Sequence, residues 1–169
     1  MEVFEAIYKR RSIRKYLDKD VPNDIILKII DAGRWAPSSK NRQPWEFIIV
    51  KDKEKICRTA KVKGQNWIRG APVLIFIVVD PKLSPTMYMV DGALASQNMA
   101  LAAVELGLGT CWINIYEKKE LKEMLRIPNE KVLLGALALG YPAENPSSRE
   151  RKQVQDITYW EFYGNKLTE

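Results

Sequence analysis

Apolar positions recur along this chain with two periods, and they divide it into alternating helices and strands. Val3, Phe4, Ile7 and Tyr8 fall at i, i+1, i+4 and i+5, one face of a helix, and predict a helix over residues 2–11. A short strand is expected over Ile13–Leu17. Pro22-Asn23-Asp24 suits a helix start, because proline fixes φ where no N–H partner is needed and Asn or Asp can cap the first turn. Ile26, Ile29, Ile30 and Gly33 carry that helix to about Ala36. Trp45 to Val50 is β-branched and aromatic, hence a strand. A charged helix follows from about Asp52 to Val62.

The uninterrupted apolar run Val73–Val79, bounded by Pro72 and Pro81, fits a strand covered on both faces. Residues 87–106 read as a long helix rich in Gly, Ala and Ser and apolar nearly all round. Such a helix must be central, packed by other helices or by a second subunit. Strands are expected at Gly109–Ile115 and Val132–Leu139, with a helix at Lys118–Leu125 between them. The tail carries Tyr159, Trp160, Phe162 and Tyr163, which are costly to leave in water. It either folds back on its own core or forms an arm on a second subunit, and the small-residue helix favours the arm. The pattern is that of a mixed α/β domain over residues 1–169.

Composition narrows the chemistry. The 169 residues contain no histidine, so Ser-His-Asp and Cys-His nucleophiles and histidine metal sites are unavailable. Hydride transfer on a bound flavin survives that loss, because the reactive atom belongs to the cofactor. The two cysteines lack CxxC spacing, the acidic N-terminus is unlike a signal peptide, and no run approaches a membrane span. A cytoplasmic protein without structural metal is expected. The net charge of +6 fits either a nucleic-acid surface or a site for phosphorylated ligands.

Three segments are candidates for chemistry. Arg10-Arg11-Ser12-Ile13-Arg14 sets three guanidiniums and a hydroxyl at a helix-to-strand junction; arginine's planar fork matches phosphate oxygens. The same run also suits a solvated helix C-terminus, where cations complement the dipole. The proline-bounded loop Pro37-Ser38-Ser39-Lys40-Asn41-Arg42-Gln43-Pro44 offers uncharged hydrogen-bonding groups for a polyol or a flavin edge, or is simply a loop. Arg149-Glu150-Arg151-Lys152 either closes a phosphate site from the far end of the chain or solubilises a turn.

Taken in order, RRSIRKY, APSSKNRQPWEFIIV, GALASQNMALAAVELGLGTCWI and LLGALALGYPAENP with its basic loop resemble the nitroreductase family of FMN enzymes. The resemblance spans about residues 2–152. It implies an α+β fold with a central mixed, mainly antiparallel sheet flanked by helices, a C-terminal arm over 153–169, and a homodimer holding FMN in two interface sites. It places Arg10, Arg11 and Ser12 toward the phosphate and ribityl, and Arg14 at the pyrimidine edge. Arg149 and Arg151 would return to the phosphate. Pro37, Ser38, Ser39 and Asn41 would reach the FMN bound mainly by the other chain. Gln65 or Asn66 would touch the ring edge, and the backbone around Trp112, Ile113 and Asn114 would lie along its face.

The resemblance also implies ping-pong transfer of hydride from NADH or NADPH to a nitroaromatic, quinone or flavin, with no catalytic side chain. The departure from the family is a short centre: Asp80 leads through Pro81-Lys82-Leu83-Ser84-Pro85 almost directly into the long helix, where many relatives insert helices. A more open channel, or one roofed by the partner, is expected. Dehalogenation or flavin breakdown would need a lid that this sequence lacks. Nucleic-acid binding would need aromatics interleaved with the cations, and a flavin-binding protein without turnover is a further alternative.

Overall fold

The computed structural model describes residues 2–166. Among the described residues six helices and four strands alternate after an opening helix pair: α1 (Val3–Lys9), α2 (Asn23–Arg34), β1 (Trp45–Val50), α3 (Lys53–Lys63), β2 (Val73–Val79), α4 (Tyr88–Glu105), β3 (Gly109–Ile113), α5 (Lys119–Leu125), β4 (Val132–Gly140) and α6 (Val154–Ile157). Short 3-10 turns occupy Ser39–Asn41 and Asn66–Gly70.

The strands form one sheet in the order β1-β2-β4-β3, and every ladder is antiparallel. This is the expected α+β class; its parallel component among the described residues is a lone bridge, Ser12 with Thr110. The apolar run of β2 is buried at all seven positions, as expected of a strand with both faces covered. Val73, Ile75, Ile77 and Val79 pack with Ile26 and Ile29 of α2 and Ala95, Met99 and Ala103 of α4. Leu74, Phe76 and Val78 pack on the opposite face with Ile56 and Ala60 of α3 and Leu121 of α5. Side chains alternate across a strand, so one apolar run feeds two cores. A bulge between Ile77 and Val78 lets Gly135 face Ile77 and Leu133 face Val78. The extra residue switches which residues of β4 serve each core.

Two expected elements are altered. Ile13–Leu17 is no strand: its bridges are isolated, at Ser12 and at Tyr16 with Pro142. The reason is long-range: the N–H groups of Arg14 and Lys15 donate to the Glu144 carboxylate rather than to a strand. The strand expected over 109–115 stops at Ile113, whose partner Ala136 adjoins the bulge.

The helical stripes have different fates. Ile26, Ile29 and Gly33 of α2 are buried. In α1 only Ala6 is buried, and Val3, Phe4, Ile7 and Tyr8 stand in solvent. Helix α4 buries Gly92, Ala95, Ser96, Met99, Ala100 and Ala103 but exposes Met89, Val90 and Leu94. The tail does not bury its rings on its own chain: Trp160, Phe162 and Tyr163 are 51%, 69% and 87% exposed. No helix among the described residues is long and apolar enough to cross a membrane.

Candidate functional site

Helix α1 ends at Arg10, whose N–H still donates to the Ala6 carbonyl (3.0 Å) but whose ψ of 129° turns the chain outward. The next residues are pinned to the sheet edge by the Ile13 N–H, which donates to the Thr110 carbonyl (2.9 Å). Gly109 makes this approach possible, since a Cβ there would lie 2.5 Å from Ile13 Cγ1. Glu144, in the loop after β4, accepts from the N–H groups of Arg14 (2.5 Å) and Lys15 (3.1 Å). Those two donors, the first above all, hold its carboxyl below the usual carboxylate range. Glu144 therefore ties the N-terminal turn to the C-terminal basic loop. Sequence reasoning missed it, although its place two residues after Pro142 in the same motif was a usable signal.

The result is one cationic cavity of about 160 Å³ lined by Arg10, Arg11, Ser12, Arg14, Pro146, Ser147, Arg149 and Arg151. Residues more than 130 positions apart thus meet, as the phosphate reading requires. No carboxylate lines the cavity, and none of the five arginines forms an ion pair with a described residue. Two are held from behind: Arg11 Nη1 donates to the Tyr8 and Arg10 carbonyls, and Arg151 Nη1 to those of Arg149 and Glu150. Five like charges around so small a space repel one another, and an anion with several oxygens relieves that repulsion while accepting forked hydrogen bonds.

A second cavity of about 200 Å³ shares Arg10 and Ser12 with the first. Its other walls come from α4 (Ala93, Ser96, Gln97, Ala100), from Leu137, and from Thr110, Cys111 and Trp112 of β3. Trp112 is 40% exposed and lies across β4, where a Cβ on Gly135 would collide with its ring. Burial pushes the Cys111 thiol up, with Arg14 and the Ser12 hydroxyl opposing. Ile113 sends its side chain into the core on the other face and lines neither cavity. Gln65 lines neither either, yet it is linked to the site: its Oε1 accepts from Trp67 Nε1 (3.1 Å), and Arg14 stands over the Trp67 ring at 5.8 Å.

Pro37, Ser38, Ser39 and Asn41 also line neither cavity of their own chain. Their loop is nonetheless shaped. The Ser39 N–H donates to Asp91 Oδ1 (3.1 Å), Ser84 Oγ donates to Asp91 Oδ2 (2.7 Å), and Ser38 Oγ accepts from the Gln43 N–H (3.0 Å). Lys40, Asn41 and Gln43 take left-handed φ values of 53°, 55° and 47°. Residues other than glycine hold such angles only where their surroundings enforce them. Asp91, 2% exposed, is the brace. Its signal was a lone carboxylate at the start of an apolar helix.

The nitroreductase family model matches residues 7–62 and 54–141. A Methanothermobacter thermautotrophicus protein assigned as an NADH dehydrogenase/NAD(P)H nitroreductase is 40% identical over 157 residues, covering 89% of this chain and 82% of that one. The FMN reductase [NAD(P)H] of Bacillus subtilis is 31% identical, covering 98% and 76%. A solved Parabacteroides distasonis structure, assigned like the first, superposes with a TM-score of 0.88 at 33% identity, covering 95% and 98%. Sequence order, fold and neighbours agree, and the chain belongs to the nitroreductase family.

Proposed function

We propose that this chain is an NAD(P)H-dependent oxidoreductase that binds FMN in a homodimer and reduces a small acceptor, such as a nitroaromatic, a quinone or a flavin. The observation that carries the reading is the meeting of Arg10–Arg14 with Arg149 and Arg151 around one cavity free of carboxylates. The residues present fit FMN: an unneutralised guanidinium cluster with Ser12 for the phosphate, continuous with a less charged cavity beside Trp112. Bound there, FMN supplies the capacity to take a hydride from NADH or NADPH and pass it to the acceptor in a second, separate encounter. Arg10, Arg11, Ser12, Arg149 and Arg151 would hold phosphate and ribityl. Arg14 would set a cation near the pyrimidine edge, where it favours negative charge developing on the reduced ring. No side chain need move a proton, in keeping with the missing histidine.

The dimer belongs to the same reading. The braced loop carrying Pro37, Ser38, Ser39 and Asn41 lines neither cavity of its own chain and would complete those of the partner. The exposed apolar residues of α1 and α4, and the aromatic tail as an arm over residues 153–169, would cover the contact; residues 167–169 of that arm lie outside the described residues. We place the enzyme in the cytoplasm as a single domain over residues 1–169.

Purified protein should be yellow and should bleach anaerobically on addition of NADH or NADPH. Colourless protein that cannot be reconstituted with FMN ends this reading, and yellow protein that neither nicotinamide bleaches makes it a flavin-binding protein without turnover.

A further inference from the structure

Arg14 differs from the other four arginines of the cationic cavity in having an aromatic partner. Its guanidinium lies 5.8 Å from the centroid of Trp67, within the range in which a ring face attracts a cation. Trp67 is itself held. It packs against the core formed by α3, α5 and β2, and its Nε1–H donates to Gln65 Oε1 at 3.1 Å. One half-buried ring therefore engages two polar side chains at once, Arg14 by its face and Gln65 by its edge. The bond takes one lone pair of the Gln65 amide oxygen and fixes the side chain, leaving its NH2 group free to donate to a ligand. Arg14 offers only donors. The pair presents a surface of hydrogen-bond donors and positive charge, complementary to a carbonyl-rich ring edge.

We propose that Trp67 is a positioning residue that holds Arg14 and Gln65 together as a donor pair for the ring of the bound flavin, separating Arg14 from the arginines that serve the phosphate. This rests on the flavin reading above. A phosphate-free flavin isolates the effect, because riboflavin shares the ring of FMN and lacks its anion. Flavin affinity of the apoprotein is measured by quenching of flavin fluorescence.

Trp67→Leu removes both contacts and should weaken FMN and riboflavin by the same factor, about tenfold. Trp67→Phe keeps the face and loses the N–H, and should cost both ligands about threefold. Arg149→Ala should weaken FMN while leaving riboflavin unchanged. Arg14→Ala combined with Trp67→Leu should lose less than the sum of the two single changes, since part of the Trp67 effect passes through Arg14.

The inference is overturned if both Trp67 variants bind as wild type does, if they lose FMN affinity alone, or if the losses of Arg14→Ala and Trp67→Leu simply add. Should Trp67→Leu not fold, Trp67→Phe decides: an equal loss of FMN and riboflavin, additive with that of Arg14→Ala because the ring face is kept, upholds the inference, and wild-type binding or a loss of FMN alone overturns it. A wild-type protein that binds neither flavin would instead refute the FMN reading itself, a result distinguishable from all of these.

Discussion

Helices α1 and α2 look alike as patterns and behave oppositely as structures. Each carries a stripe of large apolar residues at helical spacing. In α2 the stripe packs on α4 within the core built on one face of β2, with Ile29 fully buried and Ile26 at 1% exposure. In α1 it points outward, with Phe4 65% and Tyr8 70% exposed. Amphipathicity states that a face must be covered and is silent on what covers it. The difference separates surfaces that this chain completes from surfaces that, on the proposed reading, a second copy covers, and the site follows the same division. The cationic cavity is built within one chain, with Glu144 tying its segments together, while the loop braced by Asp91 lines neither of that chain's two cavities at the site.

The strongest test of the contrast is Ile29→Ala, which should lower the free energy of unfolding by about 2–5 kcal/mol through lost burial and a cavity. Urea denaturation should give that loss at every protein concentration. Phe4→Asp is the counterpart. It should weaken association at least about thirtyfold, since a charge in an apolar contact costs roughly 2 kcal/mol or more, while the separated chain stays folded. Light scattering should then fall from about twice the 19.5 kDa chain mass to that mass. If Phe4→Asp unfolds the chain as Ile29→Ala does, the contrast collapses.

Asp91→Ala probes the border between the two classes, because an intrachain brace there shapes a loop assigned to the partner's site. It leaves the Ser39 N–H and the Ser84 hydroxyl without their acceptor, at a cost of about 1–3 kcal/mol. The Ser39 amide should exchange with solvent much faster, with α2 and β2 unaffected.

The smallest effect concerns Glu144, whose carboxyl is exposed. Its folded value lies below the ordinary 4.5, so its contribution is fully present above about that pH and is lost as pH falls through the lower folded value. Amide exchange at Arg14 and Lys15, normalised for intrinsic rate, should be flat from neutrality to about pH 5 and should rise in more acid solution. Glu144→Gln should abolish that dependence.

Much of the site was legible residue by residue. The guanidiniums of Arg10–Arg14 and of Arg149 and Arg151 suited an anion by type and spacing, and the family resemblance narrowed that reading to a phosphate. The roles of Glu144, Asp91 and Trp67 went unread, because each acts by what it touches across the fold. Glu144 reaches back 130 positions to Arg14, Asp91 reaches 52 to Ser39, and Trp67 meets Arg14 only once the turn after α3 lies beside the end of α1. The expected strand at 13–17 failed for the same reason, since its donors are captured by a distant carboxylate.

By itself the sequence determined the alternation of elements, the doubly covered β2, the lack of any histidine-based chemistry and the residues suited to an anion. These are local or compositional properties, carried by periods of 2 and 3.6 and by functional-group chemistry. Only the tertiary structure decided the β1-β2-β4-β3 order, the joining of the two arginine clusters in one cavity, and which apolar faces stay uncovered. Those depend on which distant segments share space, and burial energy rewards any partner of the right shape, so the pattern of one segment cannot name it.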